Sequence, residues 1–575
     1  MNKILFAAAL TAAAMLAQPQ QPQQPMSEQP PAMQPMQQPQ PGDPPSRVAR
    51  LNWIAGDVAF QPATVDAWSA ATLNYPLTTG DHLYVNAAAR AELHVGGSAI
   101  RLDSNSNFGF LNLNDNIVQM SLNQGSLEIR LRQLDRDDTF EIDTPNGAVT
   151  LLRAGEYRVD TDPARNATMV TVRSGQAQMF QDGNSSLVTP HQTAWFHEGG
   201  SPEVNTENPR DDFDAFVLSR DRFEDGLPRN ARVPESMVGY QDLYAYGHWI
   251  DDPMYGEVWV PPVTPGWTPY STGRWAFVEP WGWTWIDEAP WGFAPFHYGR
   301  WASLRGVGWA WIPGAPSYHP VYAPALVGFI GGGGFGVSVG WFPLGPREPW
   351  IPAWGASRAY VNNVNVMHVT NINVVNVTNV TYVNRQNVTV VSQADFAAAR
   401  PVSAAAIRLS PAQLQSAQVI GTAPQVVPAR ASVAIGASRP APQFSARAVV
   451  ARTPPPPAPV AFEARQQALA QNHGLPLNNN QVQQLRAQQP SAVIARPAIR
   501  SVGPQGAPAP AQPGADRMSS RPPNVQTRPM QPATQPQPQP AAVQRTPAAP
   551  TTPATRPAPT KQTKKGKQEE KDEKR

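Results

Sequence analysis

Residues 90–102 read RAELHVGGSAIRL, and the alternation within them decides the fold class. Ala91, Leu93 and Val95 point one way and Glu92 and His94 the other. Gly96-Gly97-Ser98 then turns the chain, and Ile100 and Leu102 resume the apolar face. A period of two with one polar face is the pattern of a half-buried antiparallel strand. The same pattern extends outward. Leu111 and Leu113, then Met120 and Leu122, alternate with polar residues, and Leu127, Ile129 and Leu131 are interleaved with Glu128 and Arg130. Phe140 and Ile142 precede the turn residues Pro145-Asn146-Gly147, and Val149, Leu151, Tyr157, Val159, Val170 and Val172 continue the series. About ten such strands within residues 47–198 predict an all-β sandwich or roll closed around one core.

Short motifs punctuate this region in a set order: Gly56-Asp57-Val58, Trp68, Leu77-Thr78-Thr79-Gly80-Asp81-His82-Leu83, Arg90–Leu102, Gly125-Ser126-Leu127, Thr144-Pro145, and Gly155-Glu156-Tyr157-Arg158-Val159. Over residues 50–185 they resemble the FecR domain, a periplasmic sensory module. In FecR such a domain is joined to a membrane helix and a short cytoplasmic segment that acts on a sigma factor. No apolar run of membrane-spanning length follows here, so the resemblance implies the fold more than the signalling role.

A linker at 199–239 contains a strap helix at 208–224. Asn208 suits the cap, Pro209 the first helical position and Asp211 the first turn. Phe213, Phe216 and Val217 share a face that Phe223 extends, which predicts packing on one of the β units.

Residues 240–354 hold fourteen of the seventeen tryptophans, repeated every 26 positions. Gly247-His248-Trp249, Gly273-Arg274-Trp275 and Gly299-Arg300-Trp301 form one series; Gly256, Gly282 and Gly308 a second; Trp259, Trp285 and Trp311 a third. Each unit reads as a hairpin, and a lone hairpin cannot bury its own apolar side, so neighbouring units must share a core. The stretches Trp291–Trp301 and Trp341-Phe342-Pro343-Leu344-Gly345-Pro346 also resemble a tryptophan-rich domain of unknown function found behind FecR-like domains in exported bacterial proteins. That resemblance covers residues 240–390 and implies no activity. The ribbon at 360–391, valine or isoleucine alternating with asparagine or threonine, predicts one or two long strands that complete a module spanning 240–392.

The indoles admit two readings. Buried, they are mortar between hairpins. Exposed, Trp249, Trp259, Trp275, Trp285, Trp301 and Trp311 would stack on a pyranose while Arg274, Arg300 and Asp287 bind its hydroxyls. No catalytic residue, metal ligand or cofactor is assigned. The absence of cysteine removes thiolate sites, and His248, His297 and His319 are too scattered for metal-ligand spacing. An acid pair such as Asp287 with Glu279 would be the arrangement for glycoside hydrolysis. Gly336–Gly340 and Gly331–Gly336 imitate a nucleophile elbow and a dinucleotide loop, but neither is followed by the helix it requires.

The ends of the chain carry an address and a charge. Residues 1–17 place Lys3 before an apolar run from Ile4 to Leu16 and small residues, the pattern of a cleaved secretory signal. A Gln/Pro-rich linker follows at 18–46. Residues 401–560 carry a net charge of +12 and the last fifteen residues +3, which leaves about −13 for residues 1–400. The Pro/Ala/Gln-rich stretch 393–575 predicts a disordered basic tail, drawn to anionic surfaces or to the chain itself. The expected whole is a periplasmic or secreted protein, not a lipoprotein and not an enzyme, without a transmembrane segment after signal cleavage. It would bind a cell-wall or surface glycan or an envelope protein, with no specific nucleic acid. A FecR-like signalling role through a separate membrane partner is the first alternative, and glycan hydrolysis in the aromatic module the second.

Overall fold

The structure, a computed structural model, describes residues 42–228, 232–314, 319–332, 335–366, 381–444, 447–489 and 498–501. The secretory signal, most of the Gln/Pro linker and the tail beyond 501 lie outside the described residues.

Sixteen strands run from Ala49–Ala55 to Gln192–His197, more than the alternation alone separates because many are only two to five residues long. They form two sheets that share the fifteen-residue strand Ile117–Leu131. Its first half pairs with Ser106–Leu113 and, in parallel, with Thr139–Thr144. Its second half pairs with Ser98–Leu102 and Gly155–Asp162 in the other sheet. The strand changes sheets near Gly125, where φ is +88° and a Cβ would collide with the Ser106 backbone, so glycine is required. Leu93, Ile100, Leu127, Ile129, Val159 and Val170 fill the space between the sheets with no exposed surface.

The strap helix runs Asp212–Asp225. Its cap is Asp211, in a reciprocal pair with the Asp214 backbone and side chain, rather than Asn208. Asn208 instead donates its backbone N–H to Thr193 Oγ1, outside the helix. Phe213 and Val217 are buried, Phe216 packs at a tilt on Trp53 with ring centroids 5.1 Å apart, and Phe223 is 44% exposed.

The 26-residue repeat appears as three hairpins in one register. His248–Asp252 pairs with Gly256–Val260, Gly273–Val278 with Gly282–Asp287, and Arg300–Leu304 with Gly308–Ile312. In each, the repeated tryptophans sit directly opposite one another: Trp249 with Trp259, Trp275 with Trp285, Trp301 with Trp311. The two glycine series have separate causes. At Gly247, Gly273 and Gly299 a Cβ would fall inside the indole of the facing strand. Gly256, Gly282 and Gly308 all have positive φ and begin the second strand of each hairpin. The first and third hairpins join edge to edge through Trp259 and Trp311 into a four-stranded sheet, whereas the middle hairpin is a separate two-stranded sheet.

Two expectations change. The valine–asparagine ribbon begins as the helix Arg358–Val364, with Ser357 capping Tyr360, and ends in the strand Thr389–Ser392; residues 367–380 lie outside the described residues. Local bonding overrides β-propensity here, because Asn365 donates to Val361 and Trp350 carbonyls and accepts from Arg300. The tail is structured well past residue 393. Helices Gln393–Ala397 and Phe462–Gln471 and strands Gln418–Gly421 and Val449–Ala451 pack on the β units. Phe396 meets Trp283 at 4.5 Å between ring centroids, and Arg465 pairs with Glu279 at 2.7 Å. Such short helices are marginal alone, but a few apolar side chains suffice when the core they join already exists.

Candidate functional site

The polar face of the strands quoted at the outset does not meet water. Register places Glu92 opposite Arg101, Arg101 opposite Glu128, and Glu128 opposite Arg158, so alternating charge crosses four neighbouring strands. Opposite charges on facing strand positions attract. The strap helix lies over this row and lowers Asp214, Asp221 and Glu224 onto it, all three buried.

Arg101 is fully buried at the centre. Its guanidinium reaches Glu92 at 2.8 Å, Asp221 at 2.9 Å and Glu224 at 3.2 Å. Arg158 and Arg173 hold Asp214 at 2.9 and 2.6 Å. Arg132 donates to the second oxygen of Glu224 at 2.8 Å, and Arg220 on the helix reaches back to Glu92 at 2.7 Å. His94 Nε2 lies 3.3 Å from Glu92 and 3.4 Å from Glu224.

Burial alone would lower the His94 pKa, but the Glu224 and Glu92 carboxylates outweigh it and push it up to about 9. Burial would raise the Glu224 pKa, and the His94 imidazolium with its hydrogen bond overrides that and holds it at about 2. Glu92, buried likewise, is held well below the usual carboxylate range by His94 and Arg220. Glu128 goes the other way. Burial pushes it up to about 8, because its nearest cation, Arg101, stands 3.7 Å off.

Glu92, His94 and Glu224 are the one group among the described residues with ligand atoms spaced for a metal, all within 4.8 Å of one another. Ligation needs a neutral imidazole. Here the two carboxylates favour the protonated ring, and Arg101 already gives each carboxylate a cation. The donor set therefore works as a proton-bearing clamp that joins helix to sheet.

Such a seam ties the helix to the sheet through shared charges. Removing one member of a buried ion network strands its partners, although the intact network adds little stability over an apolar contact. Its signature was present in the sequence as the spacing Asp214, Val217, Asp221, Glu224, one helical face, and as the Glu/Arg alternation at 92, 101, 128, 130 and 158.

The proposed sugar-binding residues are placed elsewhere and are not brought together as an open face. Trp259, Trp275, Trp285, Trp301 and Trp311 are at most 1% exposed, and Trp249 is half-buried beneath Arg232. Their rings meet one another edge to face, Trp275 lying 5.5 Å from Trp285 and 5.4 Å from Trp341. A pyranose cannot stack on them without opening the core. Arg300 is fully buried and donates to the Glu348 and Gly299 carbonyls and to Asn365. Asp287 accepts from Trp285 Nε1 at 3.0 Å and the Ala289 N–H at 2.9 Å, and burial pushes its pKa up to about 8. Arg274, like Trp249, stays partly open, facing Glu288 at 3.7 Å beside a cleft of about 310 Å³. Asp287 and Glu279 do not form an acid pair. Asp287 faces Gly273 at the open end of the hairpin, while Glu279 follows Val278 in the turn. At about 3.3 Å per residue the two backbones are roughly 20 Å apart, beyond either glycosidase spacing.

The FecR protein family matches residues 81–178, and a family of unknown function (DUF6600) matches residues 240–348. No curated protein matches the chain. Two crystal structures of an anti-sigma factor candidate from Parabacteroides distasonis ATCC 8503 are similar to part of it. The one at 2.50 Å resolution shares 17% identity over 31% of this chain and 83% of its own, with a TM-score of 0.22. The one at 1.65 Å shares 14% over 29% and 72%, with a TM-score of 0.19.

Proposed function

We propose that this chain, a FecR domain followed by a DUF6600 domain, is an exported regulatory protein of the cell envelope that senses a partner and passes its state on through a separate membrane protein. The observation that carries this reading is the FecR match itself, which spans the strands bearing Glu92, His94, Arg101, Glu128, Arg158 and Arg173. In this reading the strap helix clamped on those strands is the element whose docking changes with the signal, since ordering and release of a segment is one way such modules switch. The membrane step falls to a partner in this reading; among the described residues no helix is long and apolar enough to cross a membrane. The glycan-binding reading loses its main support with the inward-facing indoles, and neither matched family brings an enzymatic description.

The test is genetic. Deleting the gene in its own host changes the transcript level of a defined set of genes. Wild-type protein restores it, Phe223→Ser restores it, and Arg101→Met does not. Unchanged transcripts on deletion, together with altered retention of surface polysaccharide, would contradict the regulatory reading and return the scaffold one.

A further inference from the structure

The second sheet of the sandwich also has a polar face that is buried. Gln119, Asn123, Glu141 and Asp143 are at most 2% exposed, and what covers them is the tail segment Arg447–Thr453. Glu141 accepts the backbone N–H groups of Arg452 and Thr453, both at 2.9 Å, and the Thr453 hydroxyl at 2.7 Å. Gln119 donates to the Thr453 carbonyl at 2.6 Å and Asn123 to the Arg447 carbonyl at 2.7 Å. Val450 bridges Thr144 as a strand residue, and Val449, Val450 and Ala451 are buried. The Arg452 guanidinium lies 4.0 Å over the Phe180 ring, and Arg447 bonds Asn166.

Five of these contacts are made by sheet side chains to tail main chain or to one hydroxyl. That is how an extended peptide is bound: backbone bonds supply affinity, and a few side-chain contacts supply selectivity. If the tail leaves, Gln119, Asn123 and Glu141 lose their tail partners and need water in their place, and Val449, Val450 and Ala451 lose their cover, so exchange requires an occupant that restores both.

We propose that this face is a peptide-binding groove whose resident occupant, Arg447–Thr453, exchanges with an extended basic segment of a partner protein. The occupant it fits has arginines at both ends, small or β-branched residues between them, and a Ser or Thr hydroxyl at Glu141. The arginines are read locally: the groove offers the Phe180 ring to one guanidinium and the Asn166 side-chain oxygen to the other. The inference goes beyond the regulatory reading and does not depend on it.

The experiment uses the full chain and a fluorescein-labelled peptide of residues 443–456. Val450→Asp puts a charge at the buried bridge and ejects the resident segment while leaving every groove side chain in place. The V450D chain binds the peptide saturably, about tenfold tighter than wild type, whose groove is self-occupied. Adding Glu141→Ala to V450D, or Thr453→Ala to the peptide, weakens binding by about tenfold, the loss expected for charge-assisted bonds. No saturable binding to folded V450D, or binding indifferent to Glu141, overturns the proposal. Should V450D fail to fold, hydrogen exchange on wild type decides. Amides 449–453 exchange about a hundredfold faster than those of Val118 and Met120, through a local opening, and exchange of both only at the global unfolding rate overturns it.

Discussion

Two polar faces of one sandwich are closed by other parts of the same chain, and by different chemistry. Over Glu92, Arg101, Glu128 and Arg158 lies a helix, held by charged side chains on both partners. Over Gln119, Asn123 and Glu141 lies an extended segment, held largely by its main chain. The first closure is specific and interdependent, since Arg101, Arg132, Arg158 and Arg173 each serve more than one acid, and Glu92, Asp214, Asp221 and Glu224 each meet more than one cation. The second rests mainly on main-chain bonds, with the Thr453 hydroxyl on Glu141 and the two arginines as its side-chain requirements. A cover held by a network switches as a unit, whereas a cover held by its backbone can be replaced.

The largest test of this contrast is Arg101→Met. It leaves Glu92, Asp221 and Glu224 buried without their common cation, and denaturant unfolding is expected to show a loss of about 3–5 kcal/mol. A loss under 1 kcal/mol would mean the carboxylates are satisfied without it.

Next is the pH dependence of the seam. His94 has its pKa raised, so the stability it contributes is full below its ordinary pKa of about 6.5 and is lost as pH rises through about 9. Glu128 and Asp287, raised to about 8, also lose their contribution as pH rises. Glu224 is depressed, so its contribution is full above about 4.5 and is lost as pH falls toward about 2. His94→Gln is therefore expected to flatten the stability decline between pH 7 and 9 by on the order of 2 kcal/mol while leaving the slope from Glu128 and Asp287. The groups facing His94 are Glu92, Glu224 and Asn52, with Arg101 and Arg220 behind the carboxylates. Identical slopes in both chains would show that His94 does not carry the clamp.

A smaller effect belongs to the tail face. Glu141→Ala removes the acceptor of three tail donors and is expected to cost about 1–3 kcal/mol. The loss of amide protection should be confined to residues 447–453, with the strap helix unchanged. Loosening of both covers together would mean they are coupled rather than separate. Phe223→Ser is the control, expected to change stability by no more than about 0.5 kcal/mol because the ring is already 44% exposed.

These two covers also mark where sequence reading stops. Alternation in RAELHVGGSAIRL identifies an apolar and a polar face, and Leu93, Ile100, Leu127 and Ile129 do fill the core. It says nothing about what lies on the polar side, so Glu92 and His94 read as solvent-facing. The helix carries a second signal in Asp214, Asp221 and Glu224, but Phe213, Phe216 and Phe223 give the stronger pattern in the sequence. The tail was harder to read. Its contacts are backbone hydrogen bonds, which leave no mark in composition, and proline-rich sequence reads as unstructured. The tryptophan repeat was the most legible part, with all three indole pairs in one register. The decisive residues there were Gly247, Gly273 and Gly299, whose missing side chains make room for the facing indoles and so place them in the core. The valine–asparagine ribbon misled because asparagine side chains bond the local backbone as readily as they line a strand.

Hydrogen exchange of the full chain at neutral pH tests the central claim that both polar faces are covered. The account predicts that helix amides from Phe216 to Glu224 are protected nearly as strongly as the strand Leu127–Leu131 beneath them. It predicts measurable but weaker protection at Val449–Ala451. Helix amides exchanging at the rate of an unstructured peptide would contradict it, because the charges on Glu92, Arg101 and Arg158 would then face water.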